Sequence, residues 1–300
     1  SLVAVTSTPK LLKNGLTSFQ LKWIALFFMT LDHLAAFGFE IPVIARYTTI
    51  LRNWGRIAAP LFLFVLVQGM RYTRSKSRFL FRLYLAGIGS ELFVTVTNFF
   101  LGEAIVYQTP GNVIFTFFYV VLYSIIIEEF VASMRNGWGR AALMAALAIA
   151  VWIVPQILRG AFWQMIPGNA NIQQQFLCMD LINCFLPSVY SVDYGWGLIL
   201  LGVTMYFAQT KHCQAAVFAG FCFLCMGAVH LIAVFPSLSA VYFHSSFANI
   251  FFNISQCLMI MALPLMLLYN GQRGNGPKWF FYVYYPVHRY LITLTAALFF

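Results

Sequence analysis

The chain has 300 residues, of which 61% are hydrophobic and only 9% are charged, and its formal net charge is +10. A soluble globular domain does not have this composition, so we expect a polytopic membrane protein. In such a protein the positive charge reports the orientation of the chain in the membrane, and we expect lipid contacts and no nucleic-acid partner.

Long apolar runs predict about nine membrane spans, and the expected fold class is therefore an all-α, polytopic transmembrane helix bundle. The segment 161–190 is apolar but interrupted, and it forms an outer loop, a re-entrant segment or a tenth span. No internal repeat divides the chain, so residues 1–300 are expected to form a single transmembrane domain. The predicted spans cover residues 22–39, 54–70, 80–101, 113–132, 141–158, 194–208, 214–235, 247–269 and 279–299.

Basic residues concentrate before the first span and in the even-numbered connections. With nine spans these segments all lie on one side, which the positive-inside rule makes cytoplasmic. The N-terminus is then cytoplasmic. Arg46, Arg52 and Arg56 break the pattern on the outer side, where they are either interfacial side chains or a site for an acidic acceptor.

The first span holds Lys22 and His33, which are eleven positions apart. Eleven helical steps return to nearly the same face and rise about 16 Å, so Lys22 would lie at one membrane surface and His33 near the midplane. Asp32 is the neighbour of His33. Ionisable groups at this depth are costly, and they therefore indicate a functional site.

The third and last predicted spans place further charges at the same depth as Asp32 and His33. Glu91, His288 and Arg289 each lie about ten residues from the inner end of a span that runs in the same direction as the first. Structural roles are also open. Asp32 could neutralise Arg289, Glu91 could accept hydrogen bonds, and His288 could fill the gap opened by the proline at 286.

His33 is the candidate general base, because an imidazole titrates near neutral pH. Asp32 or Glu91 would act on it as the neighbouring carboxylate. The sequence has no HExxH motif and no clustered Cys/His spacing, so no metal site is expected. Charges at the midplane also suit a proton relay, and a proton-coupled small-molecule transporter is the alternative function.

A second group of candidates lies at the cytoplasmic end of the second span. Arg71 and Arg74 are three positions apart and, on one helical turn, would grip one anion together. Arg78 and Arg82 extend this basic patch. The patch is either a binding site for a nucleotide phosphate or an ordinary positive-inside loop in contact with anionic lipid.

Four sequence blocks resemble the TraX family of integral membrane proteins, whose named activity is N-terminal acetylation of conjugative pilin. The blocks are LKWIALFFMTLDHLAAF, NWGRIAAPLFLFVLVQGMRYTRS, FRLYLAGIGSELF and KWFFYVYYPVHRYL. Lys22 with His33, and Arg71 with Arg74, are also similar to the Arg/Lys-x10-His and RxxR motifs of the acyltransferase-3 membrane enzymes.

The resemblance implies a transmembrane acetyltransferase of the bacterial inner membrane that uses acetyl-CoA as co-substrate. The acceptor would be a hydroxyl or amine, as on a pilin N-terminus or a surface or lipid-linked glycan. The catalytic residues would be His33, Asp32, Glu91 and His288. The residues that bind acetyl-CoA would be Lys22, Arg71, Arg74, Arg78, Arg82, Tyr285 and Arg289. His33 would act either as general base or as the acetyl-accepting nucleophile, and Arg289 or His288 would stabilise the oxyanion.

Overall fold

A computed structural model describes residues 15–38, 41–101, 111–135, 137–167, 172–234, 254–277 and 279–299. Most of these residues are helical, and apart from one isolated bridge between Leu16 and Tyr269 they contain no β-structure. The predicted all-α class is confirmed. The described α-helices are α1 Ser18–Phe37, α2 Pro42–Gly55, α3 Ala58–Tyr72, α4 Lys76–Leu101, α5 Val113–Met134, α6 Trp138–Met165, α7 Ile172–Phe185, α8 Gly195–Phe207, α9 Lys211–Val234, α10 Ile254–Cys257, α11 Leu263–Leu267 and α12 Phe280–Phe299.

Five helical segments within the described residues are long and apolar enough to cross a membrane. Helices α1 and α12 coincide with the first and ninth predicted spans and have 20 residues each, about 30 Å. The protein is therefore an integral membrane protein, while the total of nine spans and the cytoplasmic N-terminus stay predictions. The five segments are Pro42–Tyr72, Lys76–Phe100, Val113–Met134, Trp138–Met165 and Lys211–Leu231.

Three boundaries differ from the prediction. Residues 42–53 were expected to connect two spans, but they belong to α2, which carries Arg46 and Arg52. A short non-helical turn at Arg56 joins α2 to α3. The eighth predicted span begins outside the described residues, and its remainder consists of α10, a 3-10 helix at Leu258–Ala262 and α11. The ambiguous segment contains the end of α6 and, from Ile172, the helix α7, whose 14 described residues reach about 21 Å, less than a bilayer core of about 30 Å.

The packing of the helices brings the two ends of the described chain together. Helix α1 packs against α2, α3 and α12, and α12 also packs against α4. Helix α2 approaches α1 closely at Gly55, where an added Cβ would lie 2.3 Å from Cβ of Asp32. A larger residue at this position would push α2 away from α1, so Gly55 holds α2 beside the candidate site.

The N-terminus of α1 is closed by a capping box and by a distant segment of the chain. The Thr17 hydroxyl accepts a hydrogen bond from the Gln20 N–H, and the Gln20 side chain accepts from Thr17. The Ser18 and Phe19 amides donate to the carbonyls of Gln272 and Arg273, at 2.8 and 3.0 Å. The loop before α12 is therefore fixed to the first turn of α1.

Candidate active site

Two histidines from helices α1 and α12 form the centre of the site. Nδ1 of His33 lies 2.6 Å from Nε2 of His288, and the two rings stack with centroids 4.8 Å apart and an interplanar angle of 16°. His288 is buried, whereas His33 is partly exposed. The shared depth that the sequence predicted for these two residues is thus found as a direct contact.

The hydrogen bonds around the pair assign the proton positions on both rings. Nδ1 of His288 lies 2.7 Å from the Tyr284 carbonyl, and because a carbonyl only accepts, this nitrogen carries the proton. In a neutral imidazole the other nitrogen, Nε2 of His288, is then an acceptor for Nδ1–H of His33. The lone pair of His33 is consequently on Nε2, the nitrogen that faces away from the pair.

A column of aromatic rings leads along the seam between α1 and α12 to the histidine pair. Trp23 lies 5.2 Å from Phe280, Phe280 lies 5.5 Å from Tyr284, and Tyr284 stacks on His288 at 4.7 Å and 10°. The Tyr284 hydroxyl lies 2.8 Å from that of Thr30, which ties the column to α1. We call the rings of Trp23, Phe280, Tyr284, His288 and His33 the aromatic column.

Lys22 and His33 lie on one face of α1, as predicted, because both contact α12. The Lys22 ammonium is 5.5 Å from the centroid of the Phe281 ring. Helix α1 is unbroken between Lys22 and His33, so their separation along the helix axis is about 16 Å. Lys22 therefore lies at the opposite end of the seam from His33.

Asp32 belongs to a different set of contacts from its neighbour His33. Its Oδ2 is 3.2 Å from Nη1 of Arg52, and its Oδ1 is 3.9 Å from Nη2 of Arg56. The interpretation that Asp32 neutralises Arg289 is thus wrong. The partner of the His33 ring is His288 and not the Asp32 carboxylate. Two of the three arginines that broke the charge bias, Arg52 and Arg56, are the counter-ions of Asp32.

Glu91 is buried on α4 beside α12 and the start of α5. Its side chain hydrogen-bonds Asn112 and is within electrostatic range of Arg289. The Asn112 side chain also caps α5 by accepting from the Ile114 N–H at 2.9 Å. Glu91 and Arg289 thus meet at one level, but Glu91 makes no described hydrogen bond to either histidine.

Asp193 was not predicted as a site residue; it lies in the loop between α7 and α8 and reaches the same level as Glu91 and Arg289. Its Oδ2 lies 3.2 Å from the Tyr285 hydroxyl, which also accepts from the Val113 N–H at 3.3 Å. An added Cβ on Gly111 would lie 1.7 Å from Oδ1 of Asp193, so the loop packs tightly here. The chain has only eight acidic residues, and Asp193 is the last of them. This scarcity is a signal in the sequence, but depth along a span says nothing about a residue in a loop.

Arg289 lies between these acidic groups and α1. Its guanidinium carbon is 4.9 Å from the centroid of Phe37 and 5.9 Å from that of Tyr285. Arg289 is buried, and its Nη1 donates to the Gly111 carbonyl at 3.4 Å. The predicted site residues Tyr285 and Arg289 therefore sit on α12 beside His288.

The basic patch does not have the predicted geometry. Helix α3 ends at Tyr72, so Arg74 lies beyond the helix and does not share a helical turn with Arg71. The Arg71 guanidinium donates to the Tyr206 carbonyl at 3.0 Å and to the carbonyls of Ala208 and Gln209, at the C-terminal end of α8. Arg74, Arg78 and Arg82 are exposed.

Residues 18–166 match the family model described as TraX protein. Over these residues the chain belongs to the TraX family. The predicted resemblance is confirmed, and the TraX match contains His33, Glu91 and the basic patch, whereas Asp193 and all of α12 lie outside it. No curated protein and no solved structure matches the chain. The described residues contain no group of three or more His, Cys, Asp or Glu side chains that could hold a metal ion.

Proposed function

We propose that this TraX protein is a transmembrane acetyltransferase of the bacterial inner membrane, which moves acetyl from cytoplasmic acetyl-CoA to an acceptor amine or hydroxyl. The TraX family is associated with pilin acetylation, so a protein N-terminus is the first acceptor to test, and a surface or lipid-linked glycan is the second. Both acceptors present a nucleophile that must lose a proton when it attacks a thioester.

The His33–His288 pair is the observation that carries the proposal. Acyl transfer to an amine or hydroxyl needs a base whose lone pair is accessible and whose ring is fixed. His288 fixes the His33 ring by accepting from Nδ1–H, and the Tyr284 carbonyl fixes His288 in turn. In many acyl-transfer sites a carboxylate orients the imidazole that acts as base. Here the imidazole of His288 takes the place of that carboxylate.

The proposed reaction is a single displacement at the thioester carbonyl. Nε2 of His33 accepts the proton of the attacking amine or hydroxyl as the new bond to the acetyl carbon forms. The carbon–sulfur bond then breaks, and the CoA thiolate leaves and takes the proton from the His33 imidazolium. In this step Arg289, a fixed cation within electrostatic range of His33, stabilises the oxyanion.

The alternative order gives His33 a covalent role. Nε2 of His33 would attack the thioester, CoA thiolate would leave, and the acetyl-imidazole would pass its acetyl group to the acceptor. Both orders require the lone pair on Nε2, so the His33–His288 geometry supports either one. An acetyl-enzyme that forms from acetyl-CoA without acceptor would select the second order.

The experiment is acetyl transfer by purified protein in lipid nanodiscs. Acetyl-CoA with a radioactive acetyl group is supplied with a synthetic pilin N-terminal peptide, and the same peptide with a blocked N-terminus controls for the acceptor. We expect transfer by the wild type, loss of at least a hundredfold in His33→Gln, and wild-type transfer in His212→Gln, which changes an exposed histidine on α9.

A negative result is informative only with a binding measurement beside it. Absence of saturable acetyl-CoA binding by folded, monodisperse wild type would contradict the proposal. Proton-driven uptake of a solute into vesicles, lost in His33→Gln, would instead support the transporter, since an imidazole pair at mid-depth can also relay protons.

A further inference from the structure

The loop before α12 places a second cation beside Lys22. Arg273 is held at the first turn of α1 because the Phe19 amide donates to its carbonyl, and its exposed side chain is within electrostatic range of Lys22. Lys22 follows Phe19 by three positions, which is about one turn of α1. Both cations therefore lie at the end of the seam opposite His33, within electrostatic range of each other.

No carboxylate of the described residues pairs with Lys22 or Arg273. The ion pairs that the described residues form use Arg52, Arg56, Lys76 and Arg140. Neither chain segment that builds this corner contains an acid, because Asp and Glu are absent from 15–31 and from 254–299. Two neighbouring cations without a counter-charge attract an anion of more than one charge.

Arg71 of the basic patch and the nearby Lys76 offer less to such an anion. The Arg71 guanidinium already donates hydrogen bonds to carbonyls at the end of α8. Nζ of Lys76 lies 2.5 and 2.7 Å from the carboxylate oxygens of Glu128. Cations already bound to carbonyls and carboxylates must give up those partners before they can bind a phosphate. Lys22 and Arg273 have no such carboxylate to give up within the described part of the chain.

The distance from this corner to His33 fits the proposed donor. Lys22 and His33 are separated by about 16 Å along α1, and an extended pantetheine arm reaches about 15–20 Å. The aromatic column runs beside this path from Trp23 to His33. A phosphate group held at Lys22 would thus put the thioester of the same molecule at Nε2 of His33.

We propose that Lys22 and Arg273 form the subsite for the nucleotide phosphates of the acyl donor, and that Arg273 is a binding residue that the family match does not contain. This inference rests on the proposed function, which supplies the donor. The subsite takes a nucleoside diphosphate with an extended thioester arm, and helix α1 sets the distance between its phosphate end and its reacting end.

The test compares ligands that share the pantetheine arm and carry all, part or none of the nucleotide. Calorimetric binding of CoA, dephospho-CoA and pantetheine is measured for the wild type, Arg273→Ala, Arg273→Lys and the control Arg135→Ala, an exposed arginine in the turn after α5. We expect Arg273→Ala to weaken CoA binding about tenfold, Arg273→Lys to restore most of it, and neither to change pantetheine binding.

An anionic lipid headgroup carries the same phosphate chemistry and is distinguished by composition. The titrations are run in phosphatidylcholine nanodiscs with and without phosphatidylglycerol. An Arg273 effect on CoA that persists without phosphatidylglycerol supports the nucleotide subsite. An effect of Arg273→Ala on phosphatidylglycerol association alone overturns it, as does wild-type CoA affinity in both Arg273→Ala and Lys22→Ala. If the wild type binds no CoA at all, the proposed function itself fails.

Discussion

Replacement of His288 by phenylalanine is the sharpest test of the histidine pair. Phenylalanine keeps an aromatic ring in the stack against Tyr284 and removes the nitrogen that accepts from Nδ1–H of His33. A partly buried donor that loses its acceptor costs about 1–3 kcal/mol. If this free energy is expressed in the transition state, the rate of acetyl transfer falls about 5- to 150-fold.

The proton positions can be measured independently of activity. The chain has five histidines, so nitrogen-15 labelling of histidine gives a spectrum in which each ring can be assigned by substitution. In the wild type we expect both His33 and His288 to carry their proton on Nδ1. In His288→Phe the His33 ring should relax to a mixture of the two tautomers. The control His212→Phe should leave the spectrum of His33 and the transfer rate unchanged.

Two outcomes would refute the reasoning. A wild-type spectrum with the His33 proton on Nε2 would mean that His288 does not set the tautomer. A folded His288→Phe variant with the wild-type transfer rate would mean that the hydrogen bond has no part in the reaction, even if the spectrum changes as expected.

The remaining predictions concern the packing that supports the site. Gly55→Ala should lower the free energy of unfolding by about 1–3 kcal/mol, because its Cβ would meet Asp32, whereas Gly69→Ala has open space and should be neutral or slightly stabilising. Asp32→Asn should cost about 3 kcal/mol, because it leaves the buried Arg56 without a counter-charge. Arg71→Ala should cost about 1–2 kcal/mol through the uncapped end of α8. Thermal unfolding in nanodiscs measures all four.

Matched variants separate these effects from general damage. Glu129→Gln breaks an exposed ion pair with Arg140 and should lower the free energy of unfolding by less than about 1 kcal/mol. If Asp32→Asn lowered it by no more than this, burial of the Asp32–Arg56 pair would not explain the effect. Arg74→Ala removes an exposed charge beyond the helix end. Equal stability of Arg74→Ala and Arg71→Ala would show that the contacts of Arg71 with α8 contribute nothing.

The residues on regular, apolar helices could be predicted from the sequence. Helical periodicity gave the common face of Lys22 and His33, and depth along parallel spans gave the level shared by His33 and His288. The rise and rotation of an α-helix suffice for both predictions. Both hold because α1 is unbroken from Lys22 to His33 and because α12 runs beside α1 in the same direction.

The residues whose role depends on tertiary contacts could not be predicted in this way. Helix α2 is amphipathic and rich in arginine, so its first part reads as a connection between spans although it packs against α1. Asp193 reaches the site from a loop, where depth along a span is not defined. The partners of Arg71 and of Asp32 are far enough away in the chain that spacing says nothing about them.

The histidine pair joins residues that are 255 positions apart, so the pair forms only after the chain between them has been synthesised. At about 5–20 residues per second, synthesis of the chain between them takes roughly 13 to 50 seconds. During this interval His33 has already entered the membrane with α1, but no partner yet directs its Nδ1 proton. The nascent protein therefore has no oriented base until α12 is inserted, so the proposed acyl transfer would start only when both walls of the seam are present.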